Sequence, residues 1–192
     1  MRFTETALQG VFLIDLERHV DERGFFARLF CEREFEAHGL NASVAQAAVA
    51  FNERRGTLRG LHFQHPPAAD TKLVRCSRGA MFDVVVDLRP ESTTYLQHIA
   101  VELTEDAGRS VYVPERCAHG YQSLEDGTEV VYLMWAFHAP DAEGGLLYSD
   151  PRLAIAWPLP VTVISARDRA WPPLADAGPE LSSRMGACTI EE

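Results

Sequence analysis

The sequence predicts a mainly β fold with a few short helices, a sandwich or barrel for which a jelly roll is a natural closed form. Three observations predict it. Strand-sized apolar runs rich in Val, Ile, Phe and Tyr recur along the chain. Turn residues separate them. Helical signals are confined to short stretches.

In chain order, the runs are Val11–Leu16, Lys72–Cys76, Met81–Leu88, His98–Leu103, Ser110–Val113, Glu129–Trp135 and Val161–Ser165. The turns are Ser77-Arg78-Gly79, Arg89-Pro90-Glu91-Ser92, Asp106-Ala107-Gly108 and Glu125-Asp126-Gly127, each with residues that tolerate or preset turn geometry. A first short helix is expected over Glu32–His38, closed by Gly39. A second follows Ser165, whose hydroxyl can cap an Ala166–Ala170 turn.

Composition narrows the function classes. The chain has 192 residues, 46% apolar and 24% charged, which suits a single globular domain with a sizeable core. No apolar run has the roughly 20 residues of a membrane helix. The N-terminus has no basic segment followed by an apolar one, so no signal peptide is expected. The four cysteines, Cys31, Cys76, Cys117 and Cys188, are scattered and read as free thiols of a reducing cytoplasm. The net charge of -10 opposes nucleic-acid binding. An anionic substrate would need a local group of arginines.

Chemistry-bearing residues concentrate in Thr57-Leu58-Arg59-Gly60-Leu61-His62-Phe63-Gln64-His65. Arg59 and His62 are three apart, so a regular strand points them to opposite faces; a bend at Gly60 would bring them together. On its own, His62 reads equally as a packed strand histidine or a functional one. Lys72 opens a strand, where it is either solvated or, in a cavity, able to stabilise an enolate oxygen. Asp83 and Asp87 share a strand face, and an aspartate between Phe82 and Val84 must be paired or face a polar cavity. His119, before Gly120, is either a cavity residue or a turn histidine. Tyr132 reads as a core aromatic, and Asp168 as a solvated turn acid or an orienting partner for an imidazole. Metal-binding jelly rolls often carry a His-x-His pair, which this chain lacks; no metal is expected.

Together these segments resemble the dTDP-4-dehydrorhamnose 3,5-epimerase family. The landmarks are Asp21-Glu22-Arg23-Gly24-Phe25-Phe26, Leu58-Arg59-Gly60-Leu61-His62-Phe63-Gln64, Lys72-Leu73-Val74-Arg75, Phe82 to Arg89, Val113-Pro114, Ala118-His119-Gly120, Asp150-Pro151, Ile155-Ala156-Trp157-Pro158 and Ser165-Ala166-Arg167-Asp168. The resemblance runs from about Val11 to Pro173. It implies one cupin-type jelly-roll domain over 1–174; the remaining residues, 175–192, read as a polar C-terminal extension. It also implies a homodimer, no cofactor, and a nucleotide-diphosphate sugar as substrate.

The resemblance implies roles by position. His62 would remove the proton alpha to the C4 ketone, Asp168 would hold His62 as a base, Tyr132 would return a proton from the opposite face, and Lys72 would sit near the C4 oxygen. Arg23 and Arg59 would bind the diphosphate or nearby sugar oxygens. Gln46, His119, Glu143 and Arg167 fall at further substrate-contact positions. An imidazole suits the base and a phenol, protonated at neutral pH, suits the donor.

The chain departs from the family pattern at several contacts. Arg28 stands where a glutamate is common, Ala48 and Ala50 replace an asparagine and a serine, Leu133, Phe137 and His138 replace a lysine and paired tyrosines, and Arg167 replaces a lysine. The proton-transfer set is intact while sugar and base contacts differ. A single-site 3- or 5-epimerase is therefore an alternative, as are a non-catalytic sugar-nucleotide binder and a metal-dependent cupin.

Overall fold

The computed structural model describes residues 1–186. Two sheets face each other. One runs in the order β1 (Arg2–Glu5), β2 (Phe12–Asp15), β10 (Ser110–Val113), β7 (Lys72–Arg78), β12 (Thr128–Met134) and β5 (Gln46–Asn52). The other runs β13 (Glu143–Gly145), β6 (Thr57–Gln64), β11 (Cys117–Ser123), β8 (Ala80–Asp87) and β9 (His98–Thr104), with β14 (Val163–Ile164) pairing parallel to β6. A small hairpin, β3 (His19–Asp21) and β4 (Gly24–Phe26), stands apart. The helices are α1 (Glu32–Ala37), α2 (Ala166–Arg169) and α3 (Leu174–Met185). The mainly β sandwich expected from the sequence is the architecture found.

The seven apolar runs all lie on strands, with ends shifted by a residue or two. Gly79, Gly108 and Gly127 sit in the expected turns with φ of +76°, +63° and +68°, a region open to glycine at little cost. Strand β5 has no such signal. Its Gln-Ala-Ala-Val-Ala-Phe-Asn sequence is poor in β-branched residues, and its central residues are exposed on a sheet edge. Its ladder with β12, Tyr132 opposite Ala48, makes it a strand.

Between the sheets, Val74, Cys76, Met81, Val85, Val111 and Val130 are fully buried. Each such side chain contributes roughly 1.5–3 kcal/mol relative to exposure. β8 reads as a continuous apolar run because both its faces are covered: Met81 and Val85 face the inter-sheet core, while Val84 and Val86 pack under α3.

The segment expected as a polar extension, 175–192, overlaps the twelve-residue helix α3, which begins at Leu174. Leu174, Leu181 and Met185 recur seven and four apart and are buried against Leu61, Phe63 and Leu146, an amphipathic spacing hidden among polar residues. The closing Thr189-Ile190-Glu191-Glu192 lies outside the described residues, as does Cys188. No helix among the described residues is long and apolar enough to cross a membrane.

Candidate active site

Strand β6 builds one wall of the site through an irregularity. Opposite β11, His62 pairs with His119 and Arg59 with Tyr121. Two residues of β6, Gly60 and Leu61, therefore face the single Gly120. The extra residue reverses the alternation and turns Arg59 and His62 to the same side. Only glycines permit this approach: Gly60 has φ +123°, and a Cβ there would lie 2.5 Å from Gly120 Cα. The bend expected at Gly60 is thus a strand bulge.

The opposite wall comes from the other sheet. Lys72 on β7 and Tyr132 and Met134 on β12 line a recess together with Ala48, Arg59, His62, His119 and Tyr121. A recess that shares His62 and Lys72 adds Gln46, Asp70, His138 and Glu143. On the other side of His62, a third is lined by Arg59, Arg167 and Asp168. All the residues singled out for catalysis therefore border one continuous neighbourhood around His62.

Asp168 reaches His62 from a distant segment. Pairing of β14 with β6, Ile164 beside Leu58, delivers the start of α2 next to the strand. Ser165 caps α2 as expected, its hydroxyl accepting from the Asp168 N–H at 2.9 Å. Asp168 Oδ1 then accepts from His62 Nε2–H at 2.7 Å, and its Oδ2 accepts from the Gly60 N–H at 3.3 Å. Burial alone would raise the Asp168 pKa, but the hydrogen bonds from His62, Gly60 and Ser165 outweigh it and hold the carboxyl below its ordinary value. Asp168 is buried and His62 keeps 30% of its side chain accessible, so the second ring nitrogen is left for a ligand.

A second histidine–aspartate pair lies beside the first. His119 Nε2 is 2.6 Å from Asp83 Oδ1, and both residues are buried. Asp87, on the same strand face as Asp83, serves structure instead: its carboxylate accepts from Arg89, Ser92 and Thr94.

Burial pushes the Lys72 ammonium below its usual pKa, with Asp70 and Glu143 opposing the shift. Burial also raises the Tyr132 phenol well above its ordinary value, helped by Tyr121 and Asp83. Asp70, which the sequence reading passed over, accepts from the Trp135 and Ala136 N–H groups at 3.2 and 3.0 Å and fixes the loop after β12. Its position two residues before Lys72 was the available signal. Asn52 and Tyr121 were likewise missed, because nothing in their local sequence sets them apart.

The expected substrate contacts divide. Arg59 donates to Asn52 Oδ1 at 2.9 Å and to the Phe51 carbonyl at 3.1 Å, and borders the recess. Gln46 Nε2 donates to the Ala136 carbonyl at 3.2 Å. Arg167 and Glu143 pair with each other at 2.8 Å. Arg23 is not brought to the recess; it stands on the exposed β3–β4 hairpin, paired with Asp21. Arg28 pairs with Glu34 of α1 at 3.2 Å. Among the described residues, no group of three or more His, Cys, Asp or Glu side chains is arranged to hold a metal ion.

The arrangement offers an oriented imidazole on one sheet, and an ammonium and a phenol on the other, around one solvent-reachable recess. The family model described as dTDP-4-dehydrorhamnose 3,5-epimerase matches residues 5–176. The chain is 39% identical over 178 residues to dTDP-4-dehydrorhamnose 3,5-epimerase of Methanothermobacter thermautotrophicus, covering 91% of this chain and 95% of that protein. It is 38% identical over 178 residues to dTDP-4-dehydrorhamnose 3-epimerase of Streptomyces niveus, covering 92% and 86%. The structure superimposes with a TM-score of 0.87, at 32% identity, on the dTDP-6-deoxy-D-glucose-3,5-epimerase of Legionella pneumophila in complex with dTDP-4-keto-L-rhamnose, covering 94% and 96% of the two chains. With a jelly roll of cupin type and similarity along nearly its whole length, the chain belongs to the dTDP-4-dehydrorhamnose 3,5-epimerase family.

Proposed function

We propose that this dTDP-sugar epimerase works by two-sided proton transfer next to the C4 ketone of a dTDP-4-keto-6-deoxyhexose. His62 is the base and Tyr132 the acid. The observation that carries this reading is the 2.7 Å bond from His62 to Asp168 on one sheet, with Tyr132 and Lys72 facing it from the other. Inversion requires that the proton leave one face of the carbon and arrive on the opposite one. Groups on opposing sheets satisfy that condition, whereas two groups on one strand face would not.

In this reading Nδ1 of His62 takes the proton alpha to the ketone, while Nε2 stays bonded to Asp168. The Lys72 ammonium stabilises the enolate oxygen that develops. Tyr132 then delivers its proton to the far face. Arg59, pinned at the mouth, receives phosphate or sugar oxygens. His119, Glu143, Gln46 and Arg167 contact the substrate around it, with the Arg167–Glu143 pair exchanging partners on binding.

Incubation with dTDP-4-keto-6-deoxyglucose in deuterated water tests it. Deuterium at C3 and C5 with inversion at both is expected; no label at either carbon overturns the assignment. A single-site epimerase is the second reading. Ala48, opposite Tyr132 in the β5–β12 ladder, leaves that wall without the polar group common in the family, and the Streptomyces niveus relative is named as a 3-epimerase. Label and inversion at one carbon alone would select it.

The reading also includes a homodimer and a cytoplasmic location. Val20, Phe25 and Phe26 of the β3–β4 hairpin and Val49 and Phe51 of edge strand β5 are exposed, more apolar surface than a monomer needs to leave open. Sedimentation at twice the chain mass is the expected result. Cys76 and Cys117 are buried free thiols, which fits a reducing compartment.

A further inference from the structure

A second tyrosine stands beside Tyr132. Tyr121 of β11 is 1% exposed, and its hydroxyl donates to Asn52 Oδ1 at 3.1 Å. Asn52, the last residue of β5, is also 1% exposed. Its Nδ2 donates to the Thr128 carbonyl at 3.0 Å, and its Oδ1 also accepts from Arg59 Nε at 2.9 Å. The Thr128 carbonyl can only accept, which fixes which end of the amide faces Tyr121. The single hydroxyl proton of Tyr121 is thus directed at Asn52. Tyr132 lines the same recess, close enough that each phenol alters the acidity of the other. At rest the Tyr121 proton is held by Asn52, with Arg59 sharing that acceptor.

We propose that Tyr121 is a positioning residue for proton delivery, whose hydroxyl turns from Asn52 to the Tyr132 oxygen as that oxygen loses its proton. The inference rests on Tyr132 being the acid. In the step, the Tyr132 O–H bond breaks and a C–H bond forms with the enolate electron pair. The negative charge moves to the Tyr132 oxygen, where the turned Tyr121 hydroxyl donates to it. Arg59 keeps Asn52 Oδ1 satisfied meanwhile. The phenolate later regains a proton from water and His62 returns its own to water, so no other reagent is needed. Burial and the nearby Asp83 carboxylate both oppose charge on Tyr132, so a donor arriving as charge forms lowers the barrier where it is highest.

The test compares inversion with solvent deuterium exchange at the same carbon. Exchange with retention needs His62 but not Tyr132. Tyr121→Phe keeps the buried ring and removes only the hydroxyl. Inversion is expected to fall about 10-fold to 100-fold, the worth of a hydrogen bond to a charged group, while KM and the exchange rate hold. Asn52→Asp, which keeps the hydroxyl but binds its proton more strongly, should shift the exchange-to-inversion ratio the same way. An unchanged ratio in both variants overturns the proposal. So does a parallel fall of exchange and inversion, which is what a merely structural defect produces. Tyr132→Phe separates the two levels of argument. If it still inverts, the acid assignment itself is wrong. If it exchanges without inverting while both other variants keep the wild-type ratio, only the role of Tyr121 fails.

Discussion

Asp168 and His62 are bonded at 2.7 Å although 106 residues separate them in the chain. The carboxylate accepts from Nε2–H and thereby leaves the lone pair on Nδ1. Asp168→Asn would present an amide N–H to the ring instead and favour the opposite tautomer. Activity should fall about 100-fold to 10,000-fold, the usual worth of general-base catalysis. Exchange of substrate hydrogen with deuterated water should fall in parallel, because removal of the proton is the step lost. Unchanged exchange would show that Asp168 does not set the base.

Lys72→Met removes the positive group assigned to the enolate oxygen while keeping a similar shape. Loss of one such donor costs about 100-fold to 1,000-fold in kcat. Steady-state rates with binding of dTDP measured alongside should show kcat falling and nucleotide affinity nearly constant. A change confined to KM would move Lys72 from the oxyanion to simple binding.

Gly60→Ala tests the bulge that turns Arg59 and His62 together. The new methyl would meet the Gly120 backbone at 2.5 Å, in a left-handed conformation with φ +123°. Backbone strain of this kind costs about 1–3 kcal/mol before any clash. Urea unfolding should show at least that loss, and activity should fall even where the protein remains folded. Wild-type stability would mean that the two strands can separate freely there.

Asp87 sets a pH dependence of stability unrelated to catalysis. Burial would raise its pKa, but bonds from Arg89, Ser92 and Thr94 outweigh burial and bring it from 3.8 to about 2. A folded value below the unfolded one stabilises the protein above pH 3.8, and that contribution is lost as the pH falls toward 2. The amount is about 2 kcal/mol. Unfolding measured from pH 5 down to pH 2 should show Asp87→Asn losing less stability over that window than wild type. Parallel curves would rule out this carboxylate as the source.

Leu181→Ala tests whether α3 is part of the folded core. Leu181 is 4% exposed between α3 and the outer face of the β6 sheet. The substitution should cost about 2–5 kcal/mol, read as a lower unfolding midpoint. A neutral result would mean that α3 docks without contributing stability.

The apolar runs and turn glycines were legible because they obey local rules: alternation or continuous burial for strands, and positive φ for tight turns. The Ser165 cap of α2 was legible for the same reason. Strand β5 and helix α3 were not, since an alanine-rich edge strand and a sparse amphipathic stripe look like polar loop until a partner surface covers them. Asn52 and Tyr121 carried no local mark, because their bonds join residues from four strands.

By itself, then, the sequence determined a mainly β chain and, through its ordered motifs, the epimerase family. Only the tertiary structure decided which residues meet. The extra residue at Gly60 overrides strand alternation, the parallel pairing of β14 carries Asp168 to His62, and two opposing sheets set Tyr132 against the imidazole. The physical reason is range: backbone preferences act over a few residues, whereas the side chains around the recess are brought together by packing across the whole chain.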